Sequence, residues 1–203
     1  MSIPDAWGLS FEEVVGLTWL AYKGNGTVGA WNIGGRTWNL VTVYEQGSFR
    51  AVLMNGSQTV LSFSGTDDRG DWADNIGQGM LGASGQYIRA LELANQTSPG
   101  MVVGHSLGGG LAAYCAIYAG KLAATINPAP LNINLASLVG MAAHMNNVIN
   151  YIVPGEVLQL LNTVAPNMGI VGHRYHVSTT GGFDPIQRHS IANLVGFVAP
   201  TRM

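Results

Sequence analysis

Charge is what this sequence has least of. Only 10% of its 203 residues are Asp, Glu, Lys or Arg, against about a quarter in average globular proteins. The net charge is −2 and no basic run or stripe occurs, so nucleic acid is excluded as an expected partner. Apolar residues reach 47%. Such a composition is typical of two kinds of surface: an apolar face in transient contact with a membrane surface, or the buried interface of an oligomer.

Cysteines and long apolar runs are scarce as well. A single cysteine, Cys115, excludes an internal disulfide, and no apolar run reaches the ~18 residues of a membrane span. The first residues, Met1 to Asp5, lack the charged and apolar regions of a signal peptide. We therefore expect a protein that stays in the cytoplasm or is exported by a leaderless route. No repeat or linker interrupts the chain, so residues 1–203 are predicted to form one domain.

What the sequence does contain is a strand–turn–helix pattern centred on Ser106. The apolar run Met101 to Val103 precedes Gly104-His105-Ser106-Leu107-Gly108, and a helix of small residues, Leu111 to Ala119, follows. A G-x-S-x-G turn in this context holds its serine with the hydroxyl exposed, while the glycines let strand and helix approach closely. Ser106 is therefore the predicted nucleophile, and the N–H of Leu107 would point toward an oxyanion.

The rest of the chain alternates predicted helices with buried strands, which indicates an α/β fold with a mostly parallel sheet flanked by helices. A capping box at Ser10 to Glu13 begins a helix that runs to about Tyr22, and Lys23 to Gly35 is predicted to be a loop. The last helix is expected from Gln187 to Val198. Further strands are predicted at Thr37–Tyr44, Phe49–Met54, Thr59–Phe63, Ala123–Ile126, Val148–Val153 and Gly172–Thr179, and further helices at Ser84–Ala94 and Glu156–Asn162.

A serine nucleophile needs a histidine base, and α/β-hydrolases place serine, acid and histidine in that order along the chain. His144 precedes every acid that follows Ser106, so the order disfavours it. His173 and His176 lie on opposite faces of one predicted strand, which also argues against a shared metal site. His189 lies beyond the last predicted strand, where this architecture carries its base. We therefore predict His189 as the base.

Only two carboxylates follow Ser106 in the sequence, Glu156 and Asp184. Glu156 stands just past the end of a predicted strand, where the acid of such a site is expected, and is favoured for that reason. Asp184 lies in the loop before His189, and with Pro185 behind it fits the N-terminal cap of the last helix. Asp184 remains the rival acid.

The second oxyanion donor should come from the loop after an earlier strand, here Gly65-Thr66. Thr66 offers both its N–H and its hydroxyl, although it would also serve as a plain turn cap. Four acids follow closely, but their spacing does not match a calcium-binding EF-hand loop, so a solvated loop is favoured. These acids are Asp67, Asp68, Asp71 and Asp74. The sequence predicts no metal and no cofactor.

Segments between Phe49 and His189 carry the patterns of one enzyme family. They are Phe63-Ser64-Gly65-Thr66, Asp71-Trp72 with Asn75 and Gln78-Gly79, Gln86-Tyr87 with Ala90, Gly104 to Gly109, Thr125 to Pro130, and Asn150 to Leu158. With them the chain resembles the class 3 (fungal-type) lipases, most closely their bacterial lipase and phospholipase branch. Two departures from the family pattern are Ser64, where Arg is usual, and Glu156, where the acid is commonly Asp.

The resemblance implies an α/β-hydrolase fold and the hydrolysis of carboxylic esters of lipids. On matching positions it implies Ser106, Glu156 and His189 as the triad, with oxyanion N–H groups from Thr66 and Leu107. A lipase or phospholipase acting through an acyl-enzyme is therefore expected. An esterase of small esters, an acyltransferase with the same triad, and an inactive binding module are the alternatives. The low charge favours lipid, as would the apolar region Leu138 to Met145 if it caps the site.

Overall fold

The helices and strands follow the predicted alternation along the part of the chain that the computed structural model describes, residues 3–66, 84–132, 142–162 and 168–203. The helices are α1 (Phe11–Ala21), α2 (Ser84–Thr97), α3 (Leu107–Ala119), α4 (Val157–Asn162) and α5 (Pro185–His189), with a 3₁₀ turn at Ile191–Asn193. The strands are β1 (Gly29–Ile33), β2 (Arg36–Gln46), β3 (Phe49–Asn55), β4 (Thr59–Phe63), β5 (Met101–His105), β6 (Leu122–Ile126), β7 (Leu131–Asn132), β8 (Val148–Ile152), β9 (Met168–Gly169), β10 (His173–His176) and β11 (Thr201–Arg202).

Within the described ranges, nine strands form one sheet in the order β10-β8-β6-β5-β4-β3-β2-β1-β11. The block from β10 to β4 pairs in parallel, and the pairs from β4 to β11 are antiparallel. Only β3 and β1 are therefore reversed, and the other seven of these strands point the same way. The predicted α/β-hydrolase-like fold with a mostly parallel sheet is confirmed.

Helices cover both faces of the sheet, because successive strand side chains point to opposite sides. On β5, Met101 and Val103 pack in the core shared with α1, whereas Val102 packs in the core shared with α2 and α3. Every residue of β5 and β8 is buried, as expected for parallel strands covered on both faces. The end of β5 that carries the elbow therefore lies in the middle of a rigid three-layer structure.

Both ends of α1 are fixed by side chains. The predicted capping box is confirmed: Ser10 Oγ accepts from the N–H of Glu13 at 3.2 Å, and Ser10 N–H donates to Glu13 Oε2 at 3.0 Å. At the other end Arg50, which is 7% exposed, donates to the carbonyls of Ala21 and Tyr22, the latter at 2.8 Å. The buried guanidinium thus satisfies carbonyls that a helix end leaves without a partner.

Two segments differ from their predictions. The loop predicted at Lys23 to Gly35 contains β1, a strand whose Trp31 pairs with Trp38 of β2. The helix predicted from Gln187 to Val198 is instead α5, which ends at His189. Its continuation is drawn into backbone hydrogen bonds with an earlier segment, since Asn193 accepts from the N–H of Thr180 and Val195 donates to Ser178. His189 therefore lies at the end of a short helix rather than at the start of a long one.

The longest helices cover the two faces of the sheet. Among the residues that the structure describes, none of the helices combines the length and apolar character needed to cross a membrane.

Candidate active site

Ser106 occupies a strained turn between β5 and α3. Its φ of 59° and ψ of −126° are unusual for a residue with a side chain and cost about 1–3 kcal/mol. Two backbone hydrogen bonds hold the turn: Ser106 N–H donates to the carbonyl of Ile126 at 3.1 Å, and its own carbonyl accepts from Ala129 N–H at 2.8 Å. The neighbouring strand β6 and the loop after it thus fix the elbow that the sequence predicted. The motif predicted an exposed serine, whereas Ser106 is buried, with 4% of its surface exposed.

Glycines on both sides of Ser106 bring three backbone segments into direct contact. A Cβ at Gly104 would overlap the carbonyl of Gly108 and lie 2.8 Å from the nitrogen of Gly109. A Cβ at Gly108 would overlap the carbonyl of Phe63, the last residue of β4. Strand β5, helix α3 and strand β4 therefore meet at this point without a side chain between them, as the glycines of the motif predicted.

The predicted oxyanion loop lies against the elbow. A Cβ at Gly65 would be 3.2 Å from Ser106 Cβ and 2.9 Å from the carbonyl oxygen of His105. Thr66 follows directly, partly exposed, and lines the same cavity as His189. Leu107 is the first residue of α3, where N–H groups have no partner within the helix. The structure thus places Leu107 directly after Ser106, and Gly65, the residue before Thr66, against the Ser106 Cβ.

Glu156 and His189 form a buried pair. Nδ1 of His189 lies 2.6 Å from Glu156 Oε2, and the two side chains are 0% and 1% exposed. Glu156 also accepts from the N–H groups of Leu158 at 2.9 Å and Gln159 at 2.7 Å, so it caps α4. Because a carboxylate oxygen faces Nδ1, that nitrogen carries the proton and Nε2 is the basic nitrogen of the ring.

Burial governs the protonation of this pair. It raises the pKa of Glu156 to about 7, against the opposing effect of the N–H groups of Leu158 and Gln159. Burial also lowers the pKa of His189 to about 3. Both directions favour a neutral imidazole at pH 7, which is the form able to accept a proton.

The rival residues lie elsewhere. The Asp184 carboxylate accepts from Ile186 N–H at 2.9 Å and Gln187 N–H at 3.4 Å. It therefore forms the N-terminal cap of α5, as the sequence pattern with Pro185 indicated. His173 and His176 are exposed on β10, at one edge of the sheet. His144 is half-buried in a helical turn at 142–145.

Other predictions concern segments outside the described residues, namely the acids Asp67, Asp68, Asp71 and Asp74 and the first half of Leu138 to Met145, residues 138–141. Where the structure describes the chain, it holds no group of three His, Cys, Asp or Glu residues able to bind a metal ion.

Sequence reasoning missed three residues around His189. His105 Nε2 lies 2.7 Å from the carbonyl oxygen of His189, and Tyr22 Oη lies 2.6 Å from His105 Nδ1. Asn127 Nδ2 donates to the same His189 carbonyl at 3.3 Å. The position of His105 inside the G-x-S-x-G turn could have indicated that it belongs to the site. No local pattern marks Tyr22 or Asn127 as parts of the site.

A cavity of about 660 Å³ opens beside the buried pair. Its lining combines apolar and polar side chains from α1, the Thr66 loop and the segment around α5: Trp19, Tyr22, Lys23, Asn25, Thr66, His105, Ile186, Gln187, His189, Ser190, Ile191 and Ala192. The volume and the mixed lining are those of a pocket for a small organic group.

The mixed sheet with a serine elbow after its central strand is that of an α/β-hydrolase. Residues 29–201 match the phospholipase-like family described as the Tle-like phospholipase domain, and the chain belongs to this family.

Two relatives illustrate the likeness. An extracellular phospholipase A1 of Serratia liquefaciens is 38% identical over 95 residues, which cover 43% of this chain and 30% of that protein. The chain thus matches less than a third of that relative's length. Among solved structures, the lipase of Rhizomucor miehei in complex with its propeptide is similar with a TM-score of 0.48 and 13% identity, over 77% of this chain and 67% of that one.

Gly104→Ala should lower the free energy of unfolding by about 1–3 kcal/mol, because the added methyl group overpacks the contact between β5 and α3. Gly85→Ala in α2 is the matched control, since a Cβ there meets nothing within 4 Å. Alanine exceeds glycine in helix propensity by up to about 1 kcal/mol, so the control should lose no stability. Urea unfolding measures both variants. Equal stability of Gly104→Ala and the unsubstituted protein would contradict the backbone contact at the elbow.

Proposed function

We propose that this protein is a serine carboxylic-ester hydrolase that cleaves lipid esters through an acyl-enzyme on Ser106. The observation that carries the proposal is the buried hydrogen bond of 2.6 Å between His189 Nδ1 and Glu156 Oε2, next to the Ser106 elbow. Membership of a phospholipase-like family supports it. The residues act as a unit of nucleophile, base and orienting acid.

In the proposed acylation step, Ser106 Oγ attacks the ester carbonyl carbon while His189 Nε2 takes the hydroxyl proton. Glu156 stabilises the imidazolium that forms, and the N–H groups of Leu107 and Thr66 donate to the oxyanion. The imidazolium then protonates the leaving alcohol as the ester C–O bond breaks. In the second half of the reaction His189 deprotonates a water that attacks the acyl carbon. The bond from that carbon to Ser106 Oγ breaks, the acid leaves, and His189 returns the proton to Ser106 Oγ.

Phospholipids are the proposed substrate class. The matching family is phospholipase-like, and the Serratia liquefaciens relative carries the name of a phospholipase A1. Apolar side chains in the cavity, among them Trp19, Ile186 and Ile191, suit an acyl chain beside the reacting ester. The low charge of the whole chain agrees with a lipid substrate rather than a small soluble one.

Ser106→Ala and His189→Ala should each reduce turnover on the order of a millionfold, because nucleophile and base act together. His173→Ala and His176→Ala are the controls and should keep their turnover, since both side chains are exposed on β10. Release of fatty acid from phosphatidylcholine and of nitrophenol from p-nitrophenyl butyrate measures the effect. An inactive His176→Ala would refute the base. Absence of hydrolysis by the unsubstituted protein would favour the binding module over the enzyme.

Glu156→Gln should lose turnover on the order of 10⁴-fold, because an amide no longer holds the imidazole in the productive tautomer. Asp184→Asn is the matched control: asparagine caps helices as well as aspartate does, so activity and stability should both persist. The same assays measure turnover, and thermal unfolding verifies the fold. An active Glu156→Gln beside an inactive Asp184→Asn would transfer the role of the acid to Asp184.

The exposed apolar side chains on and beside α5 offer a surface for transient contact with a lipid membrane. Phe183 is 97% exposed and Ile186 is 44% exposed, and both lie beside or on α5, which ends in His189. Arg188 holds the turn that carries the ring: its Nε donates to the Gly182 carbonyl at 2.6 Å, and its guanidinium lies 5.9 Å from the centre of the Phe183 ring.

Phe183→Ser should weaken binding to vesicles of phosphatidylcholine and phosphatidylglycerol about tenfold or more, given ~1.5–3 kcal/mol for burying the ring. Turnover on p-nitrophenyl butyrate below its critical micelle concentration should not change. Ile88→Ser is the control, because Ile88 is also an exposed apolar side chain (57%). It lies on α2, on the face of the sheet opposite α1 and the cavity that α1 lines. Vesicle sedimentation measures binding. Unchanged binding, or an equal loss in the control, would refute the contact.

A further inference from the structure

His105 is buried beside the triad although no step of the proposed reaction uses it. Its Nε2 faces the His189 carbonyl at 2.7 Å, and a carbonyl only accepts, so Nε2 carries the proton. Nδ1 is then an acceptor, and the Tyr22 hydroxyl at 2.6 Å donates to it. Both ring nitrogens are therefore satisfied in the neutral form. Burial, which lowers the pKa of His105 to about 3, preserves that form.

The group that His105 holds is the backbone of the base. His189 ends a helix of only five residues, and Ser190 after it is already extended. Its side chain is fixed at Nδ1 by Glu156. Its backbone lies where the short helix ends and an irregular segment begins. The carbonyl is held by His105 and Asn127, and the rings of His105 and His189 lie 4.5 Å apart.

The other end of the chain of hydrogen bonds reaches the oxyanion loop. A Cβ on Gly65 would overlap the Tyr22 hydroxyl, so that hydroxyl lies directly against the loop that carries Thr66. Tyr22 is itself fixed at its carbonyl, which accepts from Arg50 Nη1 at 2.8 Å. The series Tyr22, His105 and the His189 carbonyl therefore connects the end of α1, the elbow and the base.

We propose that His105 and Tyr22 are positioning residues that set where the His189 imidazole stands relative to Ser106, an inference that rests on the proposed function. The direct contact is from His105 Nε2–H to the His189 carbonyl, and Tyr22 fixes the tautomer that makes this donor available. A displacement of about 1 Å at a base can cost on the order of a hundredfold in rate. The proposal assigns the pair an effect on the rate of proton transfer, and because both side chains also line the cavity, kcat and KM must be measured separately.

Two substitutions of one residue separate positioning from packing. The amide nitrogen of glutamine reaches about as far from the backbone as imidazole Nε2, so His105→Gln keeps a donor to the His189 carbonyl. Asparagine ends one carbon earlier, so His105→Asn loses that donor. His105→Asn should lower kcat on p-nitrophenyl butyrate about 10- to 100-fold with KM within twofold. His105→Gln should stay within about threefold of the unsubstituted kcat, and the two variants should unfold at similar temperatures.

The rate of Ser106 labelling by a fluorophosphonate is the second readout, because it reports the base-assisted attack without a lipid substrate. It should fall in His105→Asn in proportion to kcat and recover in His105→Gln. Equal kcat in both variants, or a loss carried entirely by KM, would overturn the inference. If both His105 variants fail to fold, Tyr22→Phe decides: a several-fold fall in kcat supports the role and an unchanged kcat refutes it. An unsubstituted protein that neither hydrolyses nor is labelled refutes the proposed function itself.

Discussion

The whole site depends on how closely backbone segments approach one another at Gly104 and Gly108. Any side chain there would overlap main-chain atoms of α3 or of Phe63. Since the helix can lie directly on the strand, Ser106 is held at a positive φ between two regular elements, and Gly65 comes to lie against its Cβ. The local strain of about 1–3 kcal/mol persists because buried strands on both sides fix the turn.

In a chain with so few charged residues, each buried charge is surrounded by several hydrogen-bond partners. Arg50 donates to four carbonyls around the end of α1 and to Glu45. Glu13 accepts from Ser10 N–H and from the Trp38 ring, and Glu156 accepts from two N–H groups besides facing His189. Burying a charge is costly unless it is paired and hydrogen-bonded. Glu13 pairs with Arg36 and Arg50 pairs with Glu45, whereas Glu156 faces a neutral imidazole and is held by hydrogen bonds alone. Glu13 and Arg50 fix the two ends of α1, and Glu156 caps α4 and faces His189.

Sequence patterns predicted the features that neighbouring residues in the chain determine. The strand–turn–helix signature placed the elbow, and the position of Glu156 after a strand separated it from Asp184, which the structure places on a helix cap. The sequence did not predict β1 because glycines surround this short strand, and its register is set by pairing with β2. The hydrogen bond from Tyr22 to His105 joins residues 83 positions apart, so no window of sequence could show it.

One short segment connects the two surfaces that the proposed enzyme would need. This segment runs from Thr180 to Asn193, whose backbones are joined by a hydrogen bond from Thr180 N–H to the Asn193 carbonyl. Within it Phe183 is exposed and His189 is buried. Arg188 fixes the outward end to the Gly182 and Pro154 carbonyls, while His105 fixes the inward end. Because the two ends are anchored separately, the proposed lipid contact at Phe183 requires no movement of the His189 ring. The proposed base would therefore keep its hydrogen bond to Glu156 whether the substrate arrives from a membrane or from solution.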